Sequence, residues 1–334
     1  MKLILERLLD NDRLSYYEAK NVLKFITENK YNSAQIASFL TIFRQRGVTI
    51  EELKGFRDAL LDKCLKVDLS EFHPIDLCGT GGDGKNTFNI STASAFVVAG
   101  AGIKVAKHGN YGVSSKCGSS NVLEHLGILF TTDKEFLERC MEEAGLCILH
   151  APLFHPAMKS VAPIRKNLGI KTIFNILGPI VNPASPEKQL TGVFSLEVAR
   201  LYHYLFQDIT EHYTIVYDLE QYDEVSLVGS SKLLSDKGEF LIDAHTFKAP
   251  QVTPIELDNG GTVEEASEIL VAVLKGNGTR AQENVVCANA GLAISTALST
   301  SFIEGYERAK EAIKNKRAFK SFQALHNLSK EWES

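Results

Sequence analysis

The sequence predicts an α/β protein in which a small, discontinuous helical domain is joined to a large α/β domain with a mainly parallel central sheet. Three observations carry that expectation. Residues 1–66 show helical periodicity with no strand-like run among them. From Pro74 onward, short apolar runs alternate with helical stretches, the pattern of a parallel sheet covered by helices. Two glycine-rich polar segments each stand between such a run and the helix after it. A chain of 334 residues is long enough for one large domain and a smaller one. The expected division is 1–66, with a returning segment at about 160–184, for the helical domain, and 74–334 for the α/β domain.

In the first block Leu3, Ile4, Leu8 and Leu9 share a helix face, and Val22, Leu23, Phe25 and Ile26 continue the pattern in a second helix. Residues 34–43 form a third. Thr49-Ile-Glu-Glu52 is a capping box that opens a fourth. Beyond Pro74, strands are expected at 75–78, 102–106, 147–150, 213–217 and 239–243. Helices are expected at 91–100, 121–126, 132–144, 202–209, 262–274, 285–297 and 304–322, with capping boxes beginning at Thr132 and Thr262. Residues 157–184 are rich in Gly and Pro yet helical in tendency, so they are assigned to the helical domain as a return of the chain.

Composition narrows the class. With 44% apolar and 23% charged residues the chain has the make-up of a soluble globular protein. A net charge of −5 argues against a nucleic-acid binder, and an anionic ligand would have to be held by local positive charge. Cys64, Cys78, Cys117, Cys140, Cys147 and Cys287 form no Cys-x-x-Cys pair, which reads as reduced, buried thiols. Met-Lys-Leu-Ile-Leu-Glu-Arg at the start carries charge too early for a secretory signal, and no apolar run has membrane-spanning length. A cytoplasmic location without membrane association is therefore expected.

The chemistry lies between Asp76 and Gly127. Gly79-Thr-Gly-Gly-Asp-Gly-Lys-Asn-Thr-Phe-Asn-Ile-Ser-Thr92 and Lys107-His-Gly-Asn-Tyr-Gly-Val-Ser-Ser-Lys-Cys-Gly-Ser119 offer many N–H groups and hydroxyls with few side chains in the way, which suits phosphate oxygens. Gly79-x-Gly81-x-x-Gly84 resembles a dinucleotide fingerprint, but Asn86, Thr87, Phe88 and Asn89 delay the helix, and the next strand does not end at a carboxylate. Gly79-x-x-x-x-Gly84-Lys85 approaches a P-loop, but Asn86 stands where the Mg²⁺-binding hydroxyl belongs. Asp83 would repel a bare phosphate. It suits a sugar phosphate, whose hydroxyls can donate to it or whose metal-bound water can face it. A tight ligand-free turn is the plain alternative for the first loop alone; the second loop, with Lys107 and His108 followed by a dense set of small donors, weighs against it.

Together these segments closely resemble the anthranilate phosphoribosyltransferases. Gly-Thr-Gly-Gly-Asp, Asn-Ile-Ser-Thr, Lys-His-Gly-Asn, Val-Ser-Ser and Gly-Ser all stand at that family's spacing. His155-Pro-Ala-Met, Ala162-Pro-Ile-Arg165, Phe174-Asn-Ile-Leu-Gly-Pro, Asn182-Pro-Ala and Asp223-Glu224 extend the likeness over essentially the whole chain. The first loop alone is shared with pyrimidine nucleoside phosphorylases, so the fold implied is the nucleoside phosphorylase/phosphoribosyltransferase type. The resemblance implies transfer of a phosphoribosyl group from phosphoribosyl pyrophosphate to anthranilate, with two Mg²⁺ ions and a homodimer. It implies that Gly79, Gly82, Asp83, Thr87, Asn89, Ile90, Ser91 and Thr92 hold the donor. Lys107, His108, Gly109, Asn110, Tyr111, Gly112, Val113, Ser114, Ser115 and Ser119 join them. Gly79, Asn110 and Arg165 would meet anthranilate, and Ser91, Asp223 and Glu224 would serve the metal. Two positions depart from the family: Tyr111 stands where it usually has Arg, and Asn121 where it usually has Asp.

Read on their own, these residues say less. Arg165 offers a planar fork for a carboxylate, but beside Lys166 it also reads as a solvated helix face. Asp223-Glu224 equally describes an acidic surface pair. His150 and His155 suit no common metal-ligand spacing, and His155 is expected near the acceptor pocket. Phe88, Phe96, Phe130 and Phe136 are expected in the core. Anthranilate's amine is already nucleophilic, so no acid–base residue is assigned. The alternatives are a nucleoside phosphorylase and a non-catalytic, nucleic-acid-binding relative. The expected active site lies at the cleft between the domains, with the donor at the C-terminal ends of strands.

Overall fold

The computed structural model describes residues 1–112 and 117–333. It divides into two compact units, Met1–Lys66 with Ala151–Pro183, and Val67–His150 with Ala184–Ser334.

The first unit is helical: Lys2–Leu9, Tyr16–Thr27, Ser33–Arg46, Ile50–Leu61 and, in the returning segment, Ala151–Phe154 and Ala162–Leu168. Its helices start where sequence dictates. Ser15 with Glu18, Asn32 with Gln35 and Thr49 with Glu52 each close a reciprocal capping box. Phe39, Phe43 and Phe56 pack ring to ring, with centroids 4.7–6.0 Å apart, among buried Val22, Leu23, Ile26 and Leu53. Glu52 is fully buried and answered on all sides: Arg46 donates to both its oxygens at 2.6 and 3.1 Å, and the N–H groups of Leu14 and Thr49 donate at 2.9 Å. The returning segment is tied in by the Leu65 N–H to the Phe154 carbonyl (2.9 Å) and Arg57 Nε to the Ile180 carbonyl (3.0 Å).

The second unit is built on a seven-stranded sheet: β1 (Ile75–Gly79), β2 (Val105–Gly109), β3 (Leu146–His150), β4 (Lys188–Gly192), β5 (His212–Asp218), β6 (Ser231–Ser235) and β7 (Gly238–Ile242), in the order β3-β2-β1-β4-β5-β6-β7. Strands β1 to β5 run parallel; β6 and β7 are antiparallel additions at one edge. The sequence of strands proceeds outward from β1 on one side and from β4 on the other. The C-terminal ends of β1 and β4 therefore flank a topological switch point, where open α/β sheets leave a crevice for ligands. Two buried helices, Ile90–Gly100 and Arg280–Leu298, pack on each other and on this part of the sheet.

Several expected elements are placed differently. β2 begins at Val105, not 102, because Gly102 adopts φ +92° in the turn that ends the preceding helix. The box expected at Thr132 is absent. Asp133 caps the helix Lys134–Arg139 instead, its carboxylate accepting from Glu135 and Phe136, and a π turn, Cys140–Ala144, carries the chain on. β4 and β6 were not expected: Lys-Gln-Leu-Thr-Gly and Ser-Lys-Leu-Leu-Ser are short and polar, and neighbouring strands bury them. Phe88, Phe96 and Phe136 are core residues, whereas Phe130 is partly exposed and stacks on His150 at 4.5 Å. All six cysteines are free. Among the described residues no single helix is long and apolar enough to cross a membrane.

Candidate active site

The site grows from two glycines. Gly79 ends β1, Gly192 ends β4, and the two are register partners across the switch point. Neither position has room for a side chain. A Cβ on Gly79 would run into the Asp223 carboxylate, and one on Gly192 into the Asp223 backbone carbonyl. The glycines thus form the bed on which the loop between β5 and β6 brings Asp223 and Glu224 to the crevice.

That loop is fastened from below. Asp218, fully buried at the end of β5, accepts from the Ser226 N–H (3.2 Å), the Ser226 hydroxyl (2.8 Å), the Ser231 hydroxyl (2.8 Å) and the Glu220 N–H (2.9 Å). Asn289, buried in the Arg280–Leu298 helix, pairs with both backbone groups of Val225.

The first glycine-rich loop closes over the acidic pair. Gly81, Gly82 and Gly84 take φ of +63°, +72° and +79°, a left-handed path that side chains disfavour. Their turn aims the Gly81 N–H at Asp223 Oδ2 (2.6 Å), while the Asp83 carboxylate receives the Lys85 N–H (3.0 Å). The Phe88 N–H donates to the Leu257 carbonyl and the Asn259 N–H to the Asn86 carbonyl, which holds Thr87 in a bridge to Asp258. This pairing is the physical reason the helix is delayed to Ile90. Ser91, in its first turn, donates its N–H to Glu224 Oε1 at 2.8 Å.

The second loop lies beside the first, joined to it by Asn89 Nδ2 donating to the Cys117 carbonyl (2.9 Å). Lys107 is buried and donates to the Leu77 carbonyl (2.6 Å); the His108 N–H reaches Asp76 Oδ1 at 3.2 Å. Beyond them the Asn110 carbonyl accepts from the Ser119 hydroxyl and the Ser120 N–H, and Asn121 Oδ1 accepts from the Gly112 N–H. Tyr111 lies edge-on against His150 at 4.8 Å and donates its hydroxyl to Glu124 (3.1 Å). Val113, Ser114 and Ser115 lie outside the described residues.

Three carboxyls meet here. Burial raises the pKa of Asp83, and burial together with the charge of Asp83 pushes Asp223 up to about 7. Burial and the charges of Asp223 and Asp83 raise Glu224, against the opposing pull of Lys107. Among the described residues no group of three or more His, Cys, Asp or Glu is arranged to hold a metal ion unaided. The donor set nonetheless fits Mg²⁺, which favours hard oxygens, needs only one or two carboxylates and completes its shell with waters and substrate phosphates. Mutual repulsion among these carboxylates is what a divalent cation would relieve.

Arg165 belongs to the helical unit. It lies on the Ala162–Leu168 helix, its guanidinium 5.3 Å from the centre of the Phe174 ring, and it has no carboxylate partner among the described residues. Burial lowers its pKa. A half-buried, stacked guanidinium without a counter-charge can take up an external carboxylate. His155 is buried, with Nε2 2.9 Å from the Val181 carbonyl, and His150 has Nδ1 2.9 Å from the Ser120 hydroxyl; burial lowers the pKa of both. They stand in different units, as parts of separate local networks.

Sequence reasoning missed Gly192, Asp218 and Asn289. Gly192 ends a strand that was not recognised. Asn289 did leave a signal, a lone amide within Val-Val-Cys-Ala-Asn-Ala-Gly-Leu-Ala-Ile, where a buried polar group must have a partner.

Comparison with known proteins agrees with this architecture. Residues 2–64 match the glycosyl transferase family, helical bundle domain, and residues 71–319 the glycosyl transferase family, a/b domain. An anthranilate phosphoribosyltransferase from Christiangramia forsetii is 57% identical over 329 residues, 98% of this chain and 99% of that protein. The crystal structure of the enzyme of that name from Thermus thermophilus superposes with a TM-score of 0.91 at 29% identity, covering 98% of this chain and 99% of its own. The Saccharomyces cerevisiae one, in complex with PRPP and Mg, gives 0.89 at 27% identity, covering 98% and 97%.

Proposed function

The chain belongs to the anthranilate phosphoribosyltransferase family, and we propose that it transfers the phosphoribosyl group of phosphoribosyl pyrophosphate to the amine of anthranilate. The products are N-(5′-phosphoribosyl)anthranilate and pyrophosphate, in a step of tryptophan biosynthesis. The observation that carries this reading is the meeting of the first glycine-rich loop with Asp223 and Glu224 at the switch point, through the Gly81 and Ser91 N–H groups.

In this reading Gly79, Gly82, Asp83, Thr87 and Asn89–Thr92 grip the donor from one side, and Lys107–Ser115 with Ser119 from the other. Backbone N–H groups of the left-handed turn hold phosphate oxygens, and Asp83 accepts from a ribose hydroxyl. Asp223, Glu224 and Ser91 serve two Mg²⁺ ions, which neutralise the negative charge that builds on pyrophosphate. Gly79 and Asn110 line the place of the acceptor, and Arg165 receives its carboxylate through a two-pronged contact.

The reaction asks little acid–base work of the protein. As the anomeric C–O bond breaks, positive charge grows on the sugar and negative charge on pyrophosphate; the amine's lone pair forms the new C–N bond, and its proton leaves to solvent. Catalysis is positioning and charge stabilisation. Buried Lys107, near Glu224, adds a fixed positive charge on the leaving-group side. The enzyme works as a cytoplasmic homodimer. Loss of anthranilate fluorescence on mixing with donor, Mg²⁺ and protein tests the reading. Absence of turnover overturns it, and phosphorolysis of uridine or thymidine would move the chain to the phosphorylases.

A further inference from the structure

We propose that Asn289 is a positioning residue that sets the direction of the Asp223–Glu224 carboxylates, an inference that rests on reading those carboxylates as the metal and pyrophosphate site. Asn289 is 4% exposed and lies in the middle of a helix whose other buried residues are mostly apolar. Its Oδ1 accepts from the Val225 N–H at 3.0 Å, and its Nδ2 donates to the Val225 carbonyl at 2.9 Å and to the Val285 carbonyl at 2.9 Å. The side chain therefore meets Val225 as a neighbouring strand would, through one acceptor and one donor. Only one orientation of the amide satisfies all three bonds.

Val225 directly follows Glu224, and its N–H belongs to the peptide unit that begins at the Glu224 carbonyl. Holding the Val225 N–H fixes the orientation of that peptide, and holding the Val225 carbonyl fixes the next one. The backbone on the Val225 side of Glu224 is thereby set, and with it the direction in which Glu224 leaves the backbone. Asn289 also lines the small crevice shared with Gly79, Ser91, Asp223 and Glu224, so it stands behind the acidic pair and not at a distance. Other fixings of the loop act at different points: Asp218 holds Ser226 and Ser231, the Gly81 and Ser91 N–H groups meet the carboxylates themselves, and Gly79 and Gly192 bound the space beneath Asp223 and the Glu224 nitrogen. Without the amide, Val225 would keep two buried backbone groups with no partner, and the loop would turn them toward water. That turn would swing Glu224 away from the Ser91 N–H.

The test uses the whole protein with Mn²⁺ as the probe cation. Free Mn²⁺ is read by electron paramagnetic resonance in the presence of phosphoribosyl pyrophosphate, alongside steady-state kinetics and thermal melting. Asn289→Ala should weaken Mn²⁺ binding by about tenfold or more, the scale on which groups behind metal ligands act. The KM for anthranilate should stay within about twofold, since no part of the acceptor's grip has changed. Asn289→Asp keeps the size and the acceptor for the Val225 N–H but loses both donated bonds, so it should show the same split if Asn289→Ala does not fold. Glu224→Gln is the control for the premise. If Glu224→Gln leaves Mn²⁺ binding unchanged, the metal reading of the pair falls. If Glu224→Gln weakens binding while folded Asn289→Ala and Asn289→Asp bind as the parent does, the role of Asn289 is refuted. Equal losses for Mn²⁺ and anthranilate would also refute it, because a general packing defect moves both.

Discussion

Replacing Gly192 with alanine adds one methyl group where the bed of the acidic loop has no space. The new Cβ would fall on the Asp223 backbone carbonyl, 2.5 Å from its carbon, and 3.3 Å from the Glu224 nitrogen. β4 cannot retreat, since it is paired on both edges, to β1 from Ile75↔Lys188 to Gly79↔Gly192 and to β5 through Gly192↔Val216. The loop must therefore withdraw, by roughly 2 Å if ordinary van der Waals separation is to return. Such a shift exceeds what the Gly81 N–H to Asp223 bond (2.6 Å) and the Asn289–Val225 pair (2.9–3.0 Å) can absorb. Displacement of about 1 Å at a reacting centre already costs about 100-fold in rate. Gly192→Ala should thus lower kcat/KM at least about 100-fold, equivalent to ~2.7 kcal/mol of transition-state stabilisation. Overpacking should cost ~1–3 kcal/mol of stability. Initial rates of anthranilate fluorescence loss at varied donor concentration, with a melting curve for each protein, provide the measurement. Gly81→Ala is the matched comparison, because open space surrounds it and only its φ of +63° resists a side chain, a cost of ~1 kcal/mol. A folded Gly192→Ala protein with kcat/KM within about threefold of the parent would refute the argument that the bed positions the carboxylates.

Three further outcomes are expected. Arg165→Ala should raise the KM for anthranilate roughly 10–100-fold, the worth of a charge-assisted contact, and leave that for the donor nearly unchanged; equal effects in the same kinetic assay would remove Arg165 from the acceptor site. Burial pushes the Glu52 pKa up, but the Arg46 fork and the Thr49 and Leu14 N–H groups outweigh it, so the net value lies below the ordinary 4.5. A depressed carboxyl stabilises the fold above its unfolded pKa, and that contribution is lost as pH falls through the folded value. Glu52→Gln should therefore destabilise the helical unit by ~3–5 kcal/mol at pH 7, with the gap narrowing in acid below pH ~4, read from urea unfolding at the two pH values. Tyr111→Ala should raise the donor KM several-fold, since losing the edge-on contact with His150 costs ~1 kcal/mol. Tyr111→Phe, which keeps the ring and loses only an exposed bond to Glu124, should behave as the parent; a larger loss in its donor KM would make the hydroxyl the important part.

The helical domain was legible because its signals are local. A capping box such as Thr49–Glu52 is complete within four residues, and the structure closes it as written. The glycine-rich loops were legible for the same reason: Gly81, Gly82 and Gly84 are glycines because the backbone turns left-handed there. β4 was not legible. Gln189 and Thr191 are buried only because β1 and β5 cover them, and five polar-leaning residues carry no strand signal of their own. Losing β4 meant losing the switch point, since the reversal of strand order exists only once β4 is set beside β1.

The candidate site shows the same division more sharply. Asp83 looked out of place in a phosphate loop, and Asp223-Glu224 looked like any acidic surface pair. Each had a bland explanation while its surroundings were unknown. Folding brings them together on a bed of two glycines, and there the bland explanations fail: burial raises the pKa of all three carboxyls, and the charge of Asp83 adds to it at Asp223 and Glu224. Fixings such as the Asn289–Val225 bonds keep the loop in place against that repulsion. Carboxyls whose pKa values are raised together by burial and neighbouring charge cluster at functional sites, where a ligand from outside the chain completes them. The anomaly of Asp83 in the sequence and the raised carboxyls in the structure thus have one physical cause. In the proposed reading, a cation-bearing, polyanionic donor would remove the repulsion by binding, so the cost of assembling the site would be recovered only when substrate is present.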